Sequence, residues 1–266
     1  MNTHWRVGVR LTFQWCHIAP LLLQRTIAGT NTPPIDFVCV YRQRNANRVL
    51  SLLANLPPDA HVALWALDEV DASLASHTVG SGPGQRPALI NRLVAQLPDE
   101  GRWLVVSDDD VKIRPRQFDL WLRFAGWAGL DLSQPAHLPI SYPGWGVGRQ
   151  RFSTFVRLGR WVEQGPMLAL SPRARQACLP LREDLGMGWG LELGWATLPA
   201  ERGFRMGIVD AVGMRHLNRV AADYDRPYED IFAEKALAEY GHTDFKDVQR
   251  ATSKWYVWQS RPPWEV

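Results

Sequence analysis

Asp108, Asp109 and Asp110 follow the apolar run Trp103-Leu104-Val105-Val106 with only Ser107 between. Three adjacent carboxylates repel one another, so a fold that gathers them at one point usually supplies a cation. Their hard oxygens suit Mg2+ or Mn2+ better than zinc. The four apolar residues read as a buried strand, and in open α/β sheets ligands collect just beyond the carboxyl ends of such strands. Taken alone, the triplet reads more readily as a solvated acidic turn that caps the helix beginning near Pro115.

Three further groups of residues could carry chemistry. Gly80-Ser81-Gly82-Pro83-Gly84 is a loop followed by Arg86 and a helix start, a combination of backbone N–H groups and guanidinium that favours phosphate. Gly84-Gln85-Arg86-Pro87 lacks the Gly-Lys-Ser/Thr ending of a P-loop, so an ATPase of that class is disfavoured. In Asp184-Leu185-Gly186-Met187-Gly188-Trp189-Gly190-Leu191-Glu192, glycines around a tryptophan permit close backbone approach to a ligand, and a carboxylate follows at a helix start. Outside such a setting Glu192 is an ordinary charge near a helix N-terminus. Val209-Asp210-Ala211 leads to Met214-Arg215-His216-Leu217, where His216 matters only if the fold returns it to the aspartates.

These residues must be held by a framework, and the spacing of apolar positions predicts one. Val7, Val9, Leu11, Phe13 and Trp15 alternate with polar or small residues, which predicts a strand with one buried face; residues 28–34 follow as a linker. Strands are expected at 35–41, 61–67, 103–106, 153–157, 167–170 and 205–209, and helices at 45–56, from Arg86 through Leu97, and at 115–130. Up to Asp110 this order describes parallel βαβ units. From Tyr228 the chain reads as helix, turn and an aromatic tail through Trp255, Tyr256 and Trp258. The expected division is an N-terminal strand and linker (1–34), a catalytic domain (35–225) and a C-terminal helical and aromatic extension packed on it (226–266).

With 266 residues the chain can bury a substantial core, and a net charge of +3 is too small to imply nucleic-acid binding. Arg149, Arg151, Arg157 and Arg160 could face an anionic partner or a membrane surface, although a solvated strand face explains their spacing as well. Cys16, Cys39 and Cys178 lack metal-ligand spacing and read as buried thiols in a reducing compartment. The opening Met1-Asn2-Thr3-His4-Trp5-Arg6 has no basic segment followed by an apolar one, so a cytoplasmic protein is expected. Among the 13 tryptophans, Trp145, Trp189 and Trp195 stand near glycines, as stacking surfaces for sugars or bases often do.

The order of these features resembles a GT-A-type glycosyltransferase: strand, Gly/Arg loop, helix, strand ending in Asp-x-Asp, Gly-Trp-Gly segment, Val-Asp-Ala and His. Asp184 to His216 is also similar to an uncharacterised bacterial and plant glycosyltransferase-like family with a DL…GWGLD…GVVDA…H pattern. The resemblance covers about Asp36 to Leu217. It implies an α/β fold, a Rossmann-like mixed sheet flanked by helices. It further implies a nucleotide-sugar-dependent, hexosyltransferase-type enzyme using Mn2+ or Mg2+, a UDP-sugar being the default donor. Asp108, Asp110 and His216 would hold the metal. Tyr41, Arg42, Asp68, Arg86, Asp108 and Asp109 would meet the donor, and Trp145 and Trp189 the acceptor. Glu192 would be the catalytic base, with Asp184 in reserve because Leu193 stands where the commoner Glu-Asp pair has its acid.

The same resemblance implies transfer to a glycan or other hydroxyl acceptor, with inversion if Glu192 acts by in-line displacement. Surface-polysaccharide synthesis, in the cytoplasm or peripheral to the inner membrane, is the expected setting. The alternatives are a sugar-phosphate nucleotidyltransferase, whose Gly-rich basic signature residues 1–32 lack, and a non-catalytic carbohydrate- or nucleotide-sugar-binding protein of the same fold.

Overall fold

A computed structural model of the chain describes residues 3–98, 101–219 and 221–264, with side chains from residue 15 onward. Residues 1–2, 265–266 and the side chains of residues 7–13, on which parts of the expected terminal segments fall, lie outside that description. The chain begins with a helix, α1 (Thr3–Thr26), and not the strand that alternation predicts. Val7, Leu11 and Trp15 are also four residues apart, and Trp15, Ala19, Leu23 and Ile27 continue that spacing as buried side chains. Helical periodicity over the whole segment therefore outweighs a five-position alternation at its start.

Three parallel strands form the nucleus of the sheet: β1 (Ile35–Tyr41), β2 (His61–Ala66) and β3 (Thr78–Ser81). Helix α2 (Ala46–Leu53) joins the first two. The expected 80–84 loop begins two residues late, since Gly80 and Ser81 belong to β3; Gly80 lies against the Trp65 ring, where a Cβ would collide. Helix α3 (Arg86–Val94) leads into β4 (Trp103–Asp108), which pairs with β1 in parallel on the side away from β2. Both faces of β1 and β4 are buried, which is why residues 37–41 and 103–106 are apolar runs without alternation. Ile35, Phe37, Cys39, Tyr41, Trp103 and Val105 pack into one core, and Val38, Leu104 and Val106 into the other.

The remaining elements are β5 (Val111–Ile113), α4 (Gln117–Trp127), β6 (Leu132–His137), β7 (Thr154–Gly159), β8 (Met167–Leu170), α5 (Pro172–Cys178), α6 (Leu191–Trp195), α7 (Leu198–Arg202), β9 (Met206–His216), α8 (Arg226–Glu239) and β10 (Ala251–Tyr256). Among the described residues the strand order is β10-β7-β9-β6-β8-β4-β1-β2-β3, with β5 on β9. β8 runs antiparallel to β4 and β6, and β6 parallel to β9, so the sheet is mixed. Part of the expected aromatic tail is β10, an edge strand antiparallel to β7.

β9 positions the site. Its pairing with β6 shifts register between Val209 and Gly213, so three residues bulge out. Asp210, in that bulge, is fully buried and accepts from Arg157 Nε at 2.7 Å and from the Arg151 N–H at 2.8 Å. The Val-Asp-Ala segment thus fixes a bend, after which β9 pairs antiparallel with β5, Val111 opposite His216. Arg157 is consumed by this pair, which removes it from any exposed basic patch. Arg160 donates to the Ala196 carbonyl. No helix among the described residues is long and apolar enough to cross a membrane.

Candidate functional site

The carboxyl ends of β1, β2 and β4 open into a cavity of about 410 Å³. Its wall includes Arg42, Asp68, Arg86, Asp108, Asp109, Asp110, Trp145, Trp189, Glu192 and His216, residues spread over most of the chain.

Asp110 and His216 meet because β5 and β9 pair beside them. His216 Nε2 lies 3.2 Å from Asp110 Oδ1, and the N–H groups of Leu217 and Asn218 donate to the Asp110 carbonyl and to Oδ2 at 2.9 and 3.1 Å. One ligand atom each from Asp108, Asp110 and His216 falls within 4.8 Å of the others. Two carboxylates and an imidazole form a donor set suited to Mn2+, so the residues fit a divalent cation. Burial acts to lower the His216 pKa, but the hydrogen bond and charge of Asp110, with Asp108 behind it, raise it to about 9.

Asp109 faces the other way. Its Oδ2 accepts the Arg42 N–H at 2.8 Å, and burial raises its carboxyl above the ordinary value. Asp108 is bound by Arg86, whose Nε donates to Oδ1 at 2.8 Å and whose NH2 donates to the Gln164 carbonyl at 3.1 Å. The Arg86 guanidinium thus stands at the cavity wall between the acidic strand and the segment before β8. Gly165 leaves the space this needs, since a Cβ there would lie 2.8 Å from Asp108 Oδ2.

Glu192 occupies the first turn of α6, after Gly190 at a φ of 107°. That backbone conformation suits glycine, and a Cβ would also run into Ala236. The Glu192 carboxylate is buried, with Oε1 accepting the Gln164 N–H at 3.1 Å and Oε2 without a hydrogen-bond partner among the described residues. Burial chiefly, with the charge of Glu163 added, raises its pKa to about 7, while backbone N–H donors oppose the shift. Such a carboxyl can accept a proton near neutrality.

Two sequence expectations do not reach the cavity. Asp184 is exposed, 2.8 Å from Arg182 NH2 and 2.9 Å from Lys235 Nζ, and these partners hold its carboxyl well below the usual range. Tyr41 is fully buried on the α2 face, its hydroxyl 3.0 Å from Thr78 Oγ1, because strand alternation turns it away from its cavity-lining neighbours Val40 and Arg42. Trp189 does line the cavity, but its ring is 6% exposed and lies under the Arg226 guanidinium at 3.5 Å. Trp145, half-buried, packs against Trp161, Trp189 and Phe245.

The structure adds Glu163, Gln164, Asn218, Asp223 and Tyr224 to the wall. Asp223 pairs with Arg42 and Arg44, and Tyr224 accepts the Trp189 Nε1–H at 3.1 Å. The one sequence signal for any of these is the polar pair Glu163-Gln164 with Gly-Pro just before the apolar run of β8.

The sequence matches no protein-family model and no curated protein. Solved structures do match in fold. GalNAc-T7 with UDP, GalNAc and Mn2+ aligns at a TM-score of 0.56 and 9% identity, over 79% of this chain and 50% of that one. S. aureus TarS 1-349 aligns at a TM-score of 0.50 and 13% identity, over 77% of this chain and 70% of that one. The chain therefore spans about half the length of GalNAc-T7. Its mixed α/β sheet flanked by helices matches the GT-A glycosyltransferase structures.

Proposed function

We propose that this protein is a metal-dependent glycosyltransferase that moves a sugar from a nucleoside-diphosphate donor to a hydroxyl acceptor. The observation that carries the reading is the convergence of Asp108, Asp110 and His216 at the carboxyl end of the parallel strands in a GT-A fold. The UDP and Mn2+ in the GalNAc-T7 structure support a UDP-sugar and Mn2+ in particular.

Asp110 and His216, with Asp108, would hold the cation, and Arg42 and Asp68 would lie beside the nucleotide. Bound there, a divalent ion supplies positive charge opposite the departing diphosphate. Arg86, already at the wall beside Asp108, adds charge on the same side. In the transfer, the acceptor oxygen bonds to the anomeric carbon as its bond to the diphosphate oxygen breaks. The nucleoside diphosphate leaves, and the acceptor proton passes to Glu192. In-line displacement with Glu192 as the base would invert the anomeric configuration. The acceptor would rest near Trp145, whose ring is the more open of the two tryptophans. A glycan acceptor, surface-polysaccharide assembly and action in the cytoplasm or at the inner membrane belong to the same proposal.

The test is a thermal-shift screen of UDP-sugars with Mn2+, followed by donor hydrolysis and transfer assays on wild type and Asp110→Asn. Stabilisation and turnover in the wild type, both lost in the variant, are expected. Binding without turnover would leave a nucleotide-sugar-binding protein, and no stabilisation by any nucleotide would overturn the reading. NMR of the product anomer decides inversion.

A further inference from the structure

Glu163 is 3% exposed, Ser141 5% and His137 1%, and the three form a buried polar line that meets the cavity wall at Glu163. The line starts at the candidate metal ligand: the His216 N–H donates to Ser141 Oγ at 2.8 Å. Ser141 Oγ lies 2.8 Å from His137 Nδ1. The Ser141 hydroxyl, which accepts the His216 amide, can also donate to Nδ1, an arrangement that places the ring proton on Nε2 facing Glu163. His137 Nε2 and Glu163 Oε2 are 3.5 Å apart, an electrostatic contact longer than a close hydrogen bond. The same Oε2 accepts the N–H of Gly144 at 3.2 Å, the residue before Trp145.

Two glycines show how tightly the carboxylate is gripped. A Cβ on Gly144 would stand 3.1 Å from Glu163 Oε2, and one on Gly148 would overlap Oε1 and lie 2.9 Å from His137 Cδ2. Both ends of the 144–148 segment therefore close on one carboxyl group. From behind, the Glu163 N–H is anchored by Gln134 Oε1 on β6. Glu163 Oε1 has no hydrogen-bond partner among the described residues. A buried carboxylate with an unpartnered oxygen is a cost that an apolar side chain of similar size would avoid. Packing alone does not account for it.

We infer that Glu163 is a positioning residue that sets the Trp145-bearing segment in the cavity wall and ties it, through His137 and Ser141, to the backbone of His216. The acceptor side and the metal–diphosphate side of the cavity are then formed in register. That division of the cavity rests on the function proposed above. Neither Glu163 nor His137 need touch substrate for this, because they act through Gly144 and His216.

Hydrogen–deuterium exchange of the peptide spanning 142–150, with and without Mn2+ plus UDP, tests the inference in wild type, Glu163→Ala, Glu163→Gln and Ser141→Ala. Without ligand, Glu163→Ala should exchange at least about tenfold faster over this segment, as expected for loss of a hydrogen bond to a charged group. Glu163→Gln, whose amide oxygen can still accept from Gly144, should recover much of the protection and covers the case in which the alanine variant fails to fold. Ser141→Ala keeps the Glu163–Gly144 contact but breaks the tie to His216. It should be protected at rest, yet lose the change in exchange that Mn2+ and UDP produce in the wild type.

Wild-type exchange in both Glu163 variants would overturn the positioning role. A ligand response in Ser141→Ala equal to that of wild type, or none in a wild type that binds UDP, would overturn the tie. If wild type shows no thermal shift with Mn2+ and UDP, the proposed function and the tie both fall, and the ligand-free comparison still decides whether Glu163 holds the segment.

Discussion

His216 Nε2 stands 3.2 Å from Asp110 Oδ1, two residues 106 positions apart in the chain that β5 and β9 bring side by side. The imidazole carries a raised pKa of about 9 because this carboxylate outweighs the opposing effect of burial. Asp110→Asn removes the charge and leaves the burial. The His216 pKa in the metal-free protein should then fall well below 9, which NMR titration of the ring protons reads directly. The same variant, and His216→Ala, should weaken Mn2+ binding by at least about tenfold in calorimetry, as expected for loss of a direct ligand.

Glu192 supplies a pH dependence of opposite use. Its folded pKa of about 7 lies above the ordinary value of 4.5, so the folded state holds the proton more tightly than the unfolded chain. The stability from this group is fully present below about pH 4.5 and is lost as pH rises through about 7. Glu192→Gln has no such loss. Its stability relative to wild type should therefore grow between those two values and level off above, reaching on the order of 3 kcal/mol in urea unfolding. Transfer should fall by about 10²–10⁴-fold in the same variant, the usual worth of a positioned general base. A stability difference between the two proteins that stays constant from about pH 4.5 to about pH 8 would show that the carboxyl is not desolvated.

Arg86 joins Asp108 to the segment before β8 through a planar fork, Nε on Asp108 and the terminal nitrogens on Gln164. A lysine keeps the charge but has no fork with which to hold both partners. Arg86→Lys should therefore lower transfer and donor hydrolysis by at least about tenfold, more than a charge-conserving change at an exposed position would. Steady-state rates with UDP-sugar and Mn2+ check this, and wild-type rates would mean the bridge is dispensable.

The parts of this arrangement that are legible in sequence are those where one chemical type is contiguous. Val105 and Val106 lead through Ser107 into three aspartates, and burial on both faces makes residues 37–41 and 103–106 unbroken apolar runs. β6 shows the opposite case. Leu132-Ser133-Gln134-Pro135-Ala136-His137 is buried throughout yet shows no apolar run, because a polar atom of each of Ser133, Gln134 and His137 finds a partner inside the protein. Ser133 Oγ accepts from Trp121 Nε1 at 2.7 Å, Gln134 accepts from the Glu163 N–H, and His137 meets Ser141. Hydropathy cannot register a strand whose polar side chains are paired by other segments of the fold. Glu163 is hidden for the same reason, as its setting is made by Gly144, Gly148 and His137 from other segments. For Tyr41, proximity to the strand end suggests the donor, but the two-residue period of β1 sends it to the other face.

Asp184 and Glu192 are the two acids of the Gly-Trp-Gly segment, and the fold separates their environments. Asp184 is held in an exposed cluster with Arg182 and Lys235, and Arg182 also reaches Glu239. Its carboxyl is kept well below the usual range, chiefly by the Arg182 hydrogen bonds, which makes it a poor acceptor of a proton at neutral pH. Asp184→Asn should leave donor hydrolysis and transfer at wild-type rates. It should also change stability by no more than about 1 kcal/mol, since exposed pairs contribute little. A rate loss in Asp184→Asn comparable with that of Glu192→Gln, at unchanged stability, would return the base to Asp184 and require the 182–190 segment to move toward the cavity during turnover.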